Sequence, residues 1–164
     1  MTVTRLITTF GGVGLLPKAP GTWGSLAALP FTYALHYLGG FPLLALATLA
    51  VFALGLWATR IETAGSENYD PSEIVIDEVV GQWLALWALS AGLWFVGQPP
   101  HVFPWPGVVG GFILFRLLDI SKMWPVSIFD RMTTPFGVMM DDVVAGLMAS
   151  GVTLISAAVA HGWI

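Results

Sequence analysis

The sequence predicts an all-α membrane protein, a polytopic helical bundle with four to five membrane-embedded helices in one domain over residues 1–164. Three observations support this prediction: the mean hydropathy is +0.80, 56% of the residues are hydrophobic, and only 10% are charged. Because soluble domains carry about 25% charged residues, lipid is the expected solvent for most of the surface.

Composition also excludes several classes of function. The formal net charge of −4 provides no basic surface for nucleic acid, so a nucleic-acid partner is not expected. The absence of cysteine excludes disulfides, thiolate metal sites and cysteine nucleophiles. The oligomeric state stays open.

Five apolar stretches give the helix count. Residues 41–59, about 28 Å long as a helix, can cross the hydrocarbon core, as can residues 79–96 and 143–160. Residues 25–38 and 107–118 are short for full spans, so each is expected to be tilted, re-entrant or buried in the bundle. A turn at Gly39-Gly40 joins the first two stretches, which form either two spans or a re-entrant hairpin.

Loop charges predict the sidedness of the bundle. The basic loop residues are Arg5, Lys18, Arg60, Lys122 and Arg131. The remaining loops, at residues 39–40 and 98–106, and the tail after residue 160 carry no charge. Five crossings place these two sets on alternate sides, and the positive-inside rule puts the charged set in the cytoplasm.

The same topology separates the histidines from the acids. His36, His101 and His161 are expected near the opposite side from the carboxylates, which disfavours a histidine nucleophile. Residues 68–73, with Glu62 and Glu67, are interpreted as a solvated acidic loop. Asp130 and Arg131 are expected either to form a local pair or to help shape the site, with a structural role favoured.

Two pairs of adjacent acids are the first candidates for chemistry. Asp77-Glu78 opens the third stretch within IVIDEVVGQW, and Asp141-Asp142 opens the fifth within VMMDDVVAGL, which is a weak internal repeat. Helix capping would account for one acid at each helix start. Four carboxylates at the edge of apolar helices would instead repel one another unless cations separate them. Oxygen ligands without thiolates or nearby histidines favour Mg²⁺.

The segment FRLLDISKMWP carries the second candidate group. Arg116, Asp119 and Lys122 are spaced i, i+3, i+6, so they cover roughly a third of a helix circumference. Either they form an ion-pair ladder near the interface, with Lys122 extended toward water, or they belong to an active site. In the second case the planar guanidinium of Arg116 would bind a phosphate or carboxylate.

The third candidate is the glycine-rich stretch GGVGLLPKAPGTWGS. Glycines such as Gly21 allow backbone N–H groups to approach an anion closely. Thr22 or Ser25 is expected to cap the following helix and leave its N-terminus aimed at a phosphate. No Gly-Lys-Ser/Thr sequence is present, so this is not a P-loop, and a plain irregular loop is the alternative.

Together these motifs resemble the phosphatidylglycerophosphatase A family, bacterial inner-membrane enzymes that convert phosphatidylglycerophosphate to phosphatidylglycerol. The resemblance extends from about residue 10 to residue 157 and rests on four ordered motifs: APGTWGS, IDEVVG, FRLLD with Lys122 and Trp124-Pro125, and MDDVVAG. It implies a Mg²⁺-dependent α-helical lipid phosphatase. By resemblance, the site residues are Asp77, Glu78, Asp119, Asp141, Asp142, Arg116 and Lys122.

One residue departs from the family pattern. Met123 stands where the family usually has proline. A methionine frees φ and restores a backbone donor, so the preceding helix is expected to end later and the direction of Lys122 is left open.

The resulting hypothesis places Mg²⁺ among the two acid pairs, Asp77, Glu78, Asp141 and Asp142. Asp119 is a further ligand or a general base, and Arg116 and Lys122 bind the phosphate with help from Gly21, Thr22 and Ser25. The site is expected to face the cytoplasm at the lipid headgroup level. The attacking group is either an activated water or an aspartate nucleophile.

Two other classes of function stay open. A small transporter or ion-conducting protein would also use clustered intramembrane carboxylates. A non-catalytic assembly factor would use the ion pairs to hold partner helices.

Overall fold

The computed structural model describes residues 1–66, 68–160 and 162, and the elements found there are all helical. They are α1 (Val3–Thr8), a 3-10 turn (Val13–Leu15), α2 (Pro20–Glu62), α3 (Ile76–Ala85), α4 (Trp87–Phe95), α5 (Trp105–Ser121), α6 (Val126–Asp130) and α7 (Pro135–Ala160). The prediction of an all-α fold is confirmed. Glu67 and His161, for which a loop position and a sidedness were predicted, lie outside the described residues.

Helix α2 turns back on itself at Gly39 and Gly40. Gly40 has φ = 62° and ψ = −157°, a conformation that glycine enters readily and other residues do not. A side chain on Gly40 would also collide with the indole of Trp94. The two arms, residues 20–38 and 41–62, therefore run antiparallel, and the predicted turn is confirmed.

Helix α3 is the centre of the bundle, because almost all of its residues are buried. Its Trp83 indole N–H donates to the carbonyl of Ala28 on the first arm of α2, at 3.1 Å. Just beyond α3, the Trp87 indole donates to the Thr48 hydroxyl on the second arm, at 3.2 Å. The two arms of α2 are thus both tied to the α3–α4 segment.

Helices α3 and α7 pack in parallel and very closely. A Cβ on Gly146 would collide with the carbonyl oxygen of Gly81, so small residues at this contact allow the two backbones to approach. Further along, the amide of Ala88 donates to the Ser150 hydroxyl at 3.0 Å. Parallel packing brings the two halves of the internal repeat, and therefore both acid pairs, to the same end of the bundle.

The two acid pairs do not occupy equivalent helix starts, so that expectation was wrong. Asp77 and Glu78 lie in the first turn of α3. Helix α7 instead begins at Pro135, which places Asp141 and Asp142 in its second turn. A helix-capping role is therefore excluded for the second pair.

Two of the described helices, α2 and α7, are long and apolar enough to cross a membrane. Their outer faces expose large apolar side chains, including Leu46 and Leu54 on α2 and Leu154 and Ile155 on α7. Contiguous exposure of this kind indicates contact with lipid or a partner. The two arms of α2, the α3–α4 segment, α5 and α7 also follow the five predicted stretches in order.

Candidate active site

Three carboxylates meet where α3 and α7 pack together. Oxygens of Asp77, Glu78 and Asp142 all lie within 4.8 Å of one another. Asp77 is 6% exposed and Asp142 is 3% exposed. Glu78 Oε2 is buried and has no hydrogen-bond partner among the described residues. Three carboxylates held this close and this dry require a cation or protons to offset their repulsion.

A chain of ion pairs borders this carboxylate group. Arg116 Nη1 lies 2.6 Å from Asp119 Oδ2, and Lys122 Nζ lies 2.9 Å from Asp119 Oδ1. Lys122 Nζ also lies 2.6 Å from Asp141 Oδ2 on α7. The ladder considered for Arg116, Asp119 and Lys122 is therefore present, and Lys122 extends it across to a second helix.

Asp141 is not a member of the three-carboxylate group that it was predicted to join. Its Oδ2 is engaged by Lys122, and its Oδ1 accepts the Asp142 amide at 2.9 Å. Of the four predicted metal ligands, the structure thus brings Asp77, Glu78 and Asp142 together. Asp141 is the partner of Lys122.

The backbone at Lys122 accounts for where its side chain lies. Helix α5 ends at Ser121, and Lys122 follows in the left-handed conformation with φ = 46°, its N–H donating to the Leu118 carbonyl at 3.1 Å. The expectation that α5 ends later because of Met123 was wrong. Burial alone would lower the pKa of the Lys122 ammonium. The carboxylates of Asp142, Asp119 and Asp141 outweigh burial and raise this pKa, so the charge is retained.

The N-terminus of α2 reaches the same site. A Cβ on Gly21 would collide with the Glu78 carboxylate and would lie 3.5 Å from Arg116 Nη1. Because the first N–H groups of a helix lack intrahelical acceptors, this end presents free donors beside the guanidinium. Glycine is required here for a close approach.

The predicted capping role of Thr22 or Ser25 was wrong. Ala19 is the N-cap residue of α2, in a left-handed conformation, and no side chain caps the helix. Thr22 is half-buried beside Gly21. Ser25 is buried one turn further on, where its hydroxyl donates to the Gly21 carbonyl at 2.9 Å.

Two features of the site escaped the sequence analysis. A pocket of about 230 Å³ adjoins Asp141, and its lining includes Asn68 and Asp70 from the predicted acidic loop, Asp130, and Thr133, for which nothing was predicted. Asp130 does not form the local pair with Arg131; its Oδ1 lies 3.7 Å from Lys122 Nζ. Gln82 is fully buried, and neither atom of its side-chain amide has a partner among the described residues. Gln82 could have been found from the sequence, because it is a glutamine inside an apolar run, four residues after Glu78 and therefore on the same helix face.

His36 lies away from this group of carboxylates. His36 lies near the Gly39–Gly40 turn, and its Nδ1 is 2.8 Å from the Ser90 hydroxyl. It is buried against the ring of Phe103, with 4.8 Å between the ring centroids. The predicted separation of His36 from the carboxylates is confirmed.

Comparison with known proteins assigns the family. The family model described as phosphatidylglycerophosphatase A matches residues 6–157, which is nearly the whole chain. The chain belongs to the phosphatidylglycerophosphatase A family. The resemblance found in the four motifs is thereby confirmed.

Three curated relatives are similar to this chain over most of their length. Phosphatidylglycerophosphatase A of Escherichia coli (strain K12) is 35% identical over 160 residues, covering 97% of this chain and 84% of the relative. The Haemophilus influenzae protein of the same name is 35% identical over 146 residues, covering 88% and 83%. A Bacteroides thetaiotaomicron protein with the provisional name phosphatidylinositol-3-phosphatase is 37% identical over 150 residues, covering 87% and 86%. No solved structure matches the chain significantly.

Proposed function

We propose that this chain hydrolyses the terminal phosphate of phosphatidylglycerophosphate to give phosphatidylglycerol and inorganic phosphate. One observation carries the proposal: the Asp77, Glu78 and Asp142 carboxylates adjoin Arg116 and the N-terminus of α2 at one end of an apolar bundle. Two relatives, each 35% identical over most of their length, are named for this activity.

The charge of the site supports a cation-dependent reaction. The site contains five carboxylates, and among the described residues two cationic side chains, Arg116 and Lys122, pair with them, which leaves a formal excess of three negative charges. The five are Asp77, Glu78, Asp119, Asp141 and Asp142. A phosphate monoester brings roughly two more at neutral pH. Such a substrate would be repelled unless a further cation enters the site.

Mg²⁺ fits the donor set. Asp77, Glu78 and Asp142 would hold it, since Mg²⁺ prefers carboxylate oxygens and Glu78 Oε2 is buried with no hydrogen-bond partner within residues 1–66, 68–160 and 162. When bound there, the ion would supply positive charge to the phosphoryl oxygens. Asp141 is left out of this proposed ligand set because Lys122 occupies it.

The protein's own residues divide the remaining work. Arg116 Nη1 is held by Asp119, but its Nε is buried and has no hydrogen-bond partner in the described part of the chain, so this donor can bind a phosphate oxygen. The amides of Gly21 and Thr22 add donors beside it. Both oxygens of Asp119 are occupied by cations, which favours a positioning role over that of a general base.

The reaction itself is a displacement at phosphorus. Water attacks the phosphorus atom, the bond between phosphorus and the glycerol oxygen breaks, and the alcohol leaves with a proton. A carboxylate of the group accepts the proton of the attacking water and passes it to the leaving glycerol oxygen. Lys122, which is 31% exposed, adds positive charge at the rim of the site.

We place this site at the cytoplasmic headgroup level of the bacterial inner membrane. Arg60, at the end of α2, and Lys122 and Arg131, after α5, belong to the same end of the bundle as the carboxylates, which the positive-inside rule assigns to the cytoplasm. Exposed indoles of Trp23, Trp57 and Trp124 suit the interface at that level. The substrate's acyl chains would stay in lipid while its phosphate reaches the polar edge.

A second candidate substrate is phosphatidylinositol 3-phosphate. The observation that favours it is the relative of 37% identity whose provisional name gives that activity. Both substrates are phosphate monoesters on a hydroxylated lipid headgroup, so the same carboxylate and guanidinium groups would serve either one.

Phosphate release from purified protein in detergent micelles tests both candidates. Phosphatidylglycerophosphate, phosphatidylinositol 3-phosphate and phosphatidate are offered in parallel with Mg²⁺, with EDTA, and with Mg²⁺ restored. We expect Mg²⁺-dependent release, fastest from phosphatidylglycerophosphate. Faster release from phosphatidylinositol 3-phosphate would select the second candidate, and release that survives EDTA would reject the metal. A folded protein that releases phosphate from none of them would overturn the proposed function.

A further inference from the structure

An apolar groove runs along the bundle between the second arm of α2, the α3–α4 segment and α7. Its cavity volume is about 270 Å³, and its walls include Leu49, Phe52, Val80, Leu84, Met140 and Leu147. Two polar groups also line it, but they are already engaged: the Trp87 indole donates to Thr48, whose hydroxyl donates to the Leu44 carbonyl at 2.7 Å. A polar ligand would find no free hydrogen-bonding side chain here.

The groove begins directly next to the carboxylate group. On α3, Val80 comes one turn after Asp77, and on α7, Met140 immediately precedes Asp141. Because α3 and α7 are parallel, both helices lead away from the carboxylates in the same direction. From Val80 to Trp87 the groove is about 10 Å long, at 1.5 Å per residue.

The groove is open to the side of the bundle. Val80 and Leu84 on its floor are 1% and 5% exposed, whereas Leu49 and Leu147 at its rim are 61% and 48% exposed. The rim belongs to α2 and α7, the two helices able to cross a membrane. The opening therefore faces the hydrocarbon region and not the polar end of the bundle.

We propose that this groove binds part of an acyl chain of the lipid whose phosphate is hydrolysed at the carboxylate group. The inference rests on the proposed function. In a lipid leaflet the phosphate lies at the headgroup level with the chains below it, and the protein offers the same order along α3: Asp77 and Glu78 first, then the apolar groove. The groove is too small for another helix, whose diameter with side chains is about 10–12 Å.

Filling the rim of the groove tests this assignment. In Leu147→Trp the larger side chain competes with an acyl chain. The matched control is Leu154→Trp, which alters an exposed leucine two turns further along α7, outside the groove. Both variants and the wild type are assayed on long-chain phosphatidylglycerophosphate and on its water-soluble deacylated form.

Leu147→Trp is expected to lower kcat/KM about tenfold for the long-chain lipid, since losing the burial of two methylene groups suffices for that factor. Its activity on the deacylated compound, and both activities of Leu154→Trp, should match the wild type. Equal loss on both substrates, or no loss on either, would overturn the groove assignment while leaving the phosphatase function intact. A wild type inactive on every lipid phosphate would instead overturn the proposed function, and the groove assignment with it.

A second measurement does not depend on turnover. A phospholipid phosphate with a photoreactive diazirine in its acyl chain is irradiated with wild-type protein in bilayers, and the labelled peptides are identified by mass spectrometry. Label concentrated on the α2 segment with Leu49 and Phe52, or on α7 around Leu147, and competed by unlabelled substrate, supports the groove. Label spread evenly over the apolar surface, including Leu154, contradicts it.

Discussion

Replacing Lys122 with methionine removes a cation that joins α5 to α7. Its Nζ lies 2.9 Å from Asp119 and 2.6 Å from Asp141, and the side chains of both acids are only 10% exposed. Methionine keeps much of the aliphatic length but leaves these two carboxylates without their shared partner. The variant should therefore fold with a lower free energy of unfolding.

The size of the loss follows from these contacts. A hydrogen bond to a charged group contributes about 1.5–3 kcal/mol, and Lys122 makes two. Because its side chain is 31% exposed, water replaces part of the interaction, so the lower end of the range, about 3 kcal/mol in total, is appropriate. For a chain of this length about 1 kcal/mol corresponds to roughly 2–4 °C, which predicts a decrease in Tm of about 6–12 °C.

Thermal unfolding in detergent, followed by tryptophan fluorescence, measures this shift. The pKa of Lys122 is raised in the folded protein, so its contribution is complete below the ordinary lysine pKa of about 10.4 and is lost only as the pH rises beyond it. The difference between wild type and variant should thus be present at pH 7. Acidification, which neutralises Asp119 and Asp141, should make this difference smaller, because neutral carboxyl groups no longer need a cation.

The control is Lys18→Met, since Lys18 is exposed and makes no ion pair among the described residues. Its Tm should match that of the wild type. If Lys122→Met also unfolds within about 2 °C of wild type at pH 7, the bridge between α5 and α7 contributes nothing measurable and the reasoning is refuted.

Two further substitutions probe the packing around Glu78. Gly21→Ala places a Cβ where the Glu78 carboxylate lies. Because displacing a site group by about 1 Å can lower the rate a hundredfold, phosphate release should fall by about that factor. The control is Gly110→Ala on α5, where the added Cβ would meet open space, and its activity should match the wild type. Gln82→Met removes a fully buried amide that has no hydrogen-bond partner among the residues described. It should therefore raise the free energy of unfolding by about 1–3 kcal/mol, which is measured as a higher Tm. A lower Tm would mean that Gln82 has a buried water or ligand as its partner.

Much of the fold could be predicted from the sequence because lipid exposure leaves a simple pattern. Long uncharged stretches separated by charged or glycine-rich turns gave the order of the helical segments, and Gly39-Gly40 gave the turn within α2. Helix ends were less accessible. Helix α7 begins at Pro135, several residues before the apolar stretch at 143–160. Residues near its start are buried by other helices and not by lipid, so an uninterrupted apolar stretch does not mark this part of the helix.

The composition of the site was also predictable, but its internal geometry was not. A helix that is apolar on all sides has no hydrophobic stripe to show which face points inward. The sequence therefore could not separate Asp142, which joins Asp77 and Glu78, from Asp141, which turns to Lys122. Adjacent residues on a helix point in directions about 100° apart, and only the packing of α7 against α3 and α5 decides which one faces which group.

The different positions of these two aspartates give the most direct test of the proposed metal-dependent phosphatase site. Phosphate release from phosphatidylglycerophosphate is measured against Mg²⁺ concentration for the wild type, Asp142→Asn and Asp141→Asn. Removing a residue that only hydrogen-bonds to a metal ligand lowers metal affinity or activity by roughly 10–100-fold. Asp142 is itself a proposed ligand, so Asp142→Asn should lower kcat/KM by at least about a hundredfold. Asp141→Asn should keep the Mg²⁺ requirement of the wild type. The proposed site would be contradicted if Asp142→Asn were as active as the wild type at the same Mg²⁺ concentration. It would also be contradicted if Asp141→Asn changed the Mg²⁺ requirement more than Asp142→Asn does.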